Sequence, residues 1–372
     1  MKSLFPFIFI LLSFLVFDGC VVPFSPPEVS SADRFLVVDG FLNTNGVDSS
    51  SIILTYTQVV SNKNTFGTEL KAKVTVEGNK GSLYSFTEIG KGLYRLPAQK
   101  FNPSELFRIR IKTTANKEYL SSYVEVKQTP PIESITYKIA PDNSYLQIFI
   151  NTRDPLNKTR YYRWRFEETW EYHAPLISLY EIKNKAIVDR TSMINICWQT
   201  ARPSNILLAS TAKLSQDIVN DFPVTTVYAA SNKLLIKYSI LVKQIGLTED
   251  GFAYWNSMSK TTEKTGSLFD PQPSQVTGNI KSVSNPQELV FGYFSAVTPQ
   301  QKRFFVPATL GFPISCPPTD TVSIADALKS PDILISEYLA EGARVPDYII
   351  GTSECADCRV KGGTTVRPSF WQ

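Results

Sequence analysis

The sequence predicts a mainly β protein: an N-terminal Ig-like antiparallel β-sandwich, followed by a larger β-rich domain with one or two short helices. Three observations lead there. Between residues 35 and about 130, short runs of β-branched and aromatic residues alternate in polarity, glycine- and asparagine-rich turns separate them, and a single later segment, 248–264, carries clear helix start and stop signals. Alternation with a period of two gives each strand one apolar and one polar face, as an antiparallel sandwich requires.

Ahead of the sandwich, Lys2 precedes an apolar run from Leu4 to Phe17 that is interrupted only by Pro6 and Ser13. The run is short of the ~20 residues of a bilayer span and has the layout of an export signal. It closes on Phe17-Asp18-Gly19-Cys20. In a lipoprotein signal, the cysteine just after the cut carries a diacylglycerol on its sulfur. Residues 1–19 are therefore expected to be a lipoprotein signal peptide and Cys20 the lipidated residue, although Phe17 and Asp18 replace the usual small aliphatic pair. Two or more acyl chains anchor a protein stably where one does not. VVPFSPPEVSSA at 21–32 then reads as the main part of a flexible tether over residues 20–32, because prolines and serines there offer nothing to a core.

The sandwich is expected over residues 33–130. It begins with FLVVDGFLN at 35–43 and continues with SIILTYT at 51–57. KAKVTVE at 71–77 sets Ala72, Val74 and Val76 on one face against Lys71, Lys73, Thr75 and Glu77. GNKG at 78–81 turns the chain into SLYSFT at 82–87, GKG at 90–92 leads into LYRL at 93–96, and FRIRIK at 107–112 alternates again. Pro130-Pro131 makes a stiff boundary, since proline locks φ and donates no hydrogen bond.

Residues 131–372 form the second domain. Its best strand candidates are 145–151, 160–172, 192–200 and 233–245; in the last, Leu234, Ile236, Tyr238, Ile240 and Val242 share a face. In the helix at 248–264, Thr248 can cap, Glu249 and Asp250 suit the positive end, and Lys260 and Lys264 suit the negative end. Phe252, Trp255 and Met258 make an aromatic stripe that reads as core-facing. A shorter helix is expected at 324–328 and a strand at 289–295. Between the helix at 248–264 and that strand, GSLFDPQPSQVTG at 266–278 is irregular; Leu268, Phe269, Asp270, Gln272 and Ser274 either cover the core or form an interface loop.

A net charge of +4 spread along the chain argues against a nucleic-acid footprint. Of the five cysteines, Cys197, Cys316, Cys355 and Cys358 remain once Cys20 is set aside, an even number that suits disulfides in an exported chain. Three connectivities are open. Zinc would need about four ligands, and the chain has a single CxxC and the single histidine His173. A redox centre would have its CxxC entering a helix, whereas RVKGG at 359–363 follows here. The expected result is a disulfide-pinned C-terminal tail with Phe370 and Trp371 plugging a core seam.

No phosphate loop, GxSxG elbow or HExxH pair is present. Glu167, Glu168 and Glu171 raise the idea of paired glycosidase carboxylates, but alternation splits Glu168 from the other two, and charges beside aromatics on a strand read as a solvated face. His173 has no evident partner in sequence. Neither an enzyme nor a cofactor is expected.

Several phrases carry a resemblance: Tyr161-Tyr-Arg-Trp164 and Glu168-Thr-Trp-Glu-Tyr172, Gly266-Ser-Leu-Phe-Asp270, Phe291-Gly-Tyr-Phe-Ser295, Cys355-Ala-Asp-Cys-Arg359 and Pro368-Ser-Phe-Trp371. In this order they resemble domain-of-unknown-function family 4249, lipoproteins of the Bacteroidota, over nearly the whole chain after the signal. The resemblance implies an outer-membrane lipoprotein, often encoded beside a TonB-dependent transporter, and carries over no catalytic residues. The implied partners are a membrane, through the lipid, and such a transporter. The ligand is unknown, and whether the protein faces outward or toward the periplasm stays open. A structural or adhesive envelope lipoprotein is the alternative; a hydrolase with dispersed carboxylates ranks below both.

Overall fold

The structure, a computed structural model, describes residues 34–58, 67–263, 276, 278–307, 310–311, 315–330 and 333–372. The chain opens with β1 (Leu36–Asn43), β2 (Ser50–Tyr56), β3 (Lys73–Gly78), β4 (Leu83–Ser85) and β5 (Thr87–Gly90). β6 (Leu93–Leu96), β7 (Phe107–Lys112), β8 (Glu118–Ser121) and β9 (Val126–Gln128) follow. The strands fall where polarity alternates. In β7, Phe107, Ile109 and Ile111 are buried, while Arg108 and Arg110 reach from the other face to Glu77 on β3. In β3, Val74 and Val76 are buried as alternation predicts; Thr75 is buried as well.

Next come β10 (Ile132–Ile139), β11 (Tyr145–Asp154), β12 (Tyr161–His173), and the hairpin of β13 (Tyr180–Lys183) and β14 (Ala186–Asp189). β15 (Ile196–Ala201), β16 (Leu207–Ser210), β17 (Asp217–Tyr228) and β18 (Lys237–Gly246) lead to the main helix, α1 (Glu249–Glu263). After it lie β19 (Ile280–Ser282), β20 (Val290–Phe291), β21 (Ala296–Thr298) and β22 (Gln300–Val306). The last elements are β23 (Asp320–Val322), α2 (Ile324–Ala327), β24 (Ile333–Tyr338), β25 (Asp347–Gly351) and α3 (Ser353–Ala356). The strand expected from residue 233 starts at Lys237, because Asn232–Leu234 closes a 3-10 turn, although Leu234 is still fully buried.

In the first sandwich, the sheet β5-β6-β2-β1-β21-β9, with β20 also on β1, shares a core with the sheet β19-β8-β7-β3-β4. The boundary drawn at residue 130 does not enclose it. β19, β20 and β21 come from residues 280–298 and put Ile280, Val290 and Ala296 into the same core as Leu36, Ile52 and Ile109. The reason is edge chemistry. Residues 35–128 alone supply β1 with β2 on one side only, and the unpaired N–H and C=O groups on its other side need a partner. β20 and β21 fill that side in parallel register.

The second sandwich faces β10-β11-β17 with β15-β12-β18-β22, β16 also pairing with β12. Tyr162, Trp164 and Phe166 on β12 and Tyr238, Ile240 and Val242 on β18 point into its core. Buried Gln244 accepts from Trp164 Nε1 at 2.8 Å and donates to the Pro130 carbonyl at 2.7 Å and to Thr152 Oγ1 at 3.0 Å. The stiff Pro130 segment is thereby fastened to the second core. β13, α2, β24 and β25 form a small module around Ala327, Leu334 and Ile350.

α1 lies where its caps predicted. The Thr248 hydroxyl accepts from the Gly251 N–H at 3.1 Å. Its aromatic stripe is core-facing, but the core it meets is the seam of the two sandwiches: Phe252 and Trp255 pack with Tyr161, Leu208 and Ile245 of the second and with Phe41 and Val297 of the first.

Candidate functional site

Cys20 and the expected interface residues Leu268, Phe269, Asp270, Gln272 and Ser274 lie outside the described residues. The four other cysteines pair as Cys197–Cys358, Cα atoms 5.8 Å apart, and Cys316–Cys355, 6.0 Å apart. Each half of the CxxC therefore bonds to a distant partner. The tail is held down beside them. Trp371 is buried, its indole N–H donates to Glu171 Oε2 at 2.9 Å, and Phe370 lies under the Arg303 guanidinium at 3.4 Å.

The glutamates of β12 are split by alternation, as expected, but Glu168 is not on a solvated face. It is buried, accepting from Tyr238 Oη at 2.7 Å and pairing with Lys233 Nζ at 2.7 Å. The Glu168 carboxylate and burial push the Tyr238 hydroxyl far above its ordinary range, with burial the larger cause. Glu167 pairs with Arg202 at 2.6 Å and Arg303 at 3.8 Å. His173 does have a partner: its Nε2 is 2.6 Å from Glu171 Oε1. These contacts occupy all three carboxylates in packing pairs. Among the described residues no group of three or more His, Cys, Asp or Glu converges to hold a metal ion, and no helix is long and apolar enough to cross a membrane.

A different site emerges at the seam. On β12 the side chains alternating with Tyr162, Trp164 and Phe166 are Arg163 and Arg165, and α1 and β1 cover that face. Arg163 is only 7% exposed, and its guanidinium sits over the Trp255 indole with Cζ 3.3 Å from the ring centre. Its buried Nε has no hydrogen-bond partner, and no carboxylate forms an ion pair with it among the described residues. Burial, and next the like charge of Arg165, pull the Arg163 guanidinium down to about 9, against a smaller opposing pull from Asp39. Asp39 Oδ1 is 3.5 Å from Arg165 Nη2, an open surface pair.

Asp39, Gly40, Phe41, Arg163, Arg165, Trp255, Tyr293 and Ser295 line a cleft whose free space of ≈ 20 Å³ admits about one water-sized group. Beside it, glycines allow backbones to approach closely. A Cβ on Gly40 would stand 2.2 Å from the Ser51 carbonyl, and one on Gly292 would stand 2.1 Å from the Val38 carbonyl. Both residues have φ in the range glycine alone adopts freely, +144° and +124°. Sequence reasoning passed over Arg163 although it lies inside the phrase Tyr161-Tyr-Arg-Trp164. The available signal was a cation on the non-core face of a central strand together with an aromatic helix stripe able to cover it.

Fold and bonds together define a disulfide-pinned protein of two β-sandwiches joined at a helix-covered seam. The profile described as Domain of unknown function (DUF4249) matches residues 22–303. The chain belongs to that family. No curated protein matches it. Among solved structures, a two fibronectin type-III domain segment from chicken tenascin is 11% identical, with 58% of this chain and 92% of that chain covered at a TM-score of 0.17.

Proposed function

We propose that this chain is a lipid-anchored protein of the bacterial outer membrane, held through acylated Cys20, that serves without catalysis as a binding or accessory component beside a TonB-dependent nutrient transporter. One observation carries the reading: of five cysteines, four are consumed in two disulfides, and Cys20 is the one outside them. It stands at the end of an apolar segment, behind Gly19. Disulfides belong to oxidising compartments, so the pairing supports an exported body, and it leaves a lone thiol for the acyl chains. Resemblance to Bacteroidota lipoproteins supplies the outer membrane and the transporter.

Intact-mass measurement on protein from native membranes tests the anchor. The expected mass is that of a chain beginning at Cys20 plus a diacylglycerol and a further acyl group, and Cys20→Ser should release the protein from the membrane fraction. An unacylated mature terminus overturns the reading. Detergent-solubilised complexes should also contain a β-barrel protein; the lipoprotein recovered alone would remove the transporter from the account.

A further inference from the structure

We propose that the seam cleft between β1, β12 and α1 binds a single carboxylate group, presented by a small organic acid or by the free C-terminus of a short peptide. The argument starts from a charge that lacks a counter-charge. A buried cation is costly unless paired, and stacking on Trp255 covers the face of the Arg163 guanidinium while its buried Nε has no hydrogen-bond partner and no carboxylate pairs with it among the described residues. Within the cleft, two guanidinium groups, Arg163 and Arg165, face one carboxylate, Asp39. One monoanion makes the set neutral.

Free space of ≈ 20 Å³ is on the scale of a water, so a ligand enters by one small terminal group, and the planar end of a carboxylate is the smallest organic anion that offers two oxygens. A guanidinium edge presents parallel N–H groups that match this geometry. Ser295 lines it as well, and Tyr293, whose own hydroxyl sits 3.2 Å from Thr248 Oγ1, adds a wall. The rest of the ligand extends toward solvent past Arg165 and Asp39, both about half exposed. The lowered proton affinity of Arg163 agrees with a site built to receive negative charge. None of this depends on the lipid, so failure of the anchor would leave the site standing, and the reverse.

Calorimetric titration of the folded, disulfide-intact protein tests it, using acetate, succinate, N-acetyl-dialanine, the amide of that dipeptide, and inorganic phosphate as probes. Carboxylates should bind, the amide should not, and phosphate should bind more weakly. Preference for succinate assigns the site to small acids; preference for the free dipeptide assigns it to peptide ends. Arg163→Met should weaken the best carboxylate at least about tenfold, equivalent to about 1.4 kcal/mol, and Arg163→Lys should recover only part because it lacks the planar fork. A second measurement separates binding from scaffolding: without ligand, Arg163→Met should unfold at an equal or higher denaturant concentration than the parent, since an unpaired buried charge is removed. Equal binding of amide and acid, unchanged binding in Arg163→Met, no binding of any carboxylate, or a clear loss of stability in Arg163→Met would each overturn the proposal.

Discussion

In the first sandwich the central strand β1 finds its second neighbour in residues 290–298, whereas in the second sandwich the central strand β12 finds β15, β16 and β18 all within residues 196–246. The first has long-range pairing around an apolar core; Glu77, Arg108 and Arg110 stay on its outer face, while buried Glu69 accepts from the Tyr56 hydroxyl and buried Glu105 from the Ser82 hydroxyl. The second has nearer pairing and ties its core strands to one another: Trp164 to Gln244 to Thr152, Glu168 to Tyr238, and the Cys197–Cys358 bond. Two solutions to closing a sheet therefore stand side by side. One borrows strands; the other cross-links its own.

Cutting the chain breaks the comparison most severely. A fragment of residues 34–130 loses Ile280, Val290, Phe294 and Ala296 from its core and exposes the flank of β1. It should fail to fold, giving a collapsed amide proton spectrum. A cooperative unfolding transition in that fragment would mean that the borrowed strands are dispensable.

Removing cross-links comes next. By the chain-entropy relation, deleting Cys197–Cys358, whose ends are 161 positions apart in sequence, costs about 5 kcal/mol, and deleting Cys316–Cys355, 39 positions apart, costs about 4 kcal/mol. Double Cys→Ser variants followed by hydrogen exchange should show β12 and β15 losing protection in the first case while β3 and β7 keep theirs. Loss spread equally over both sandwiches would erase the distinction drawn here.

Acid gives the smallest effect and acts on the outer face of the first sandwich. The Arg110 guanidinium, opposed by burial and helped by Arg108, holds the Glu77 carboxyl below its ordinary value of 4.5. A folded-state value below the unfolded one means that this contribution is whole above the unfolded value and vanishes as pH falls through the folded one. Glu77→Gln should therefore flatten the acid limb of stability by less than about 1 kcal/mol, as befits a partly exposed pair. Denaturant midpoints of both proteins across the carboxylate titration range check it; parallel curves would show that the pair contributes nothing.

Local chemistry was legible where it was self-sufficient. FRIRIK announces β7, and Thr248 with Glu249 and Asp250 announces α1. β17 was missed because Pro223 sits inside it, which reads as a break; the strand tolerates it at the edge of its sheet, where the register with β11 shifts. The allegiance of β19, β20 and β21 to the first sandwich leaves no local trace, since pairing over such distances is decided by packing. An even cysteine count foretold bonds, but only the fold brings Cys197 to Cys358. Arg163 shows the same limit at the candidate site. Alternation placed it off the core face, where a charged residue ordinarily meets water, and only the helix laid across that face converts it into a buried cation.

The pairing of β1 with β21 also sets a timetable. Thr44 and Thr298, whose hydroxyls meet at 2.7 Å, are 254 residues apart. At ribosomal speeds of roughly 5–20 residues per second, β1 waits about 10–50 s for its neighbour, whereas a hairpin forms in about 1–10 μs. During that interval the free flank of β1 has no neighbour within the chain, so the first sandwich closes only once the late strands arrive.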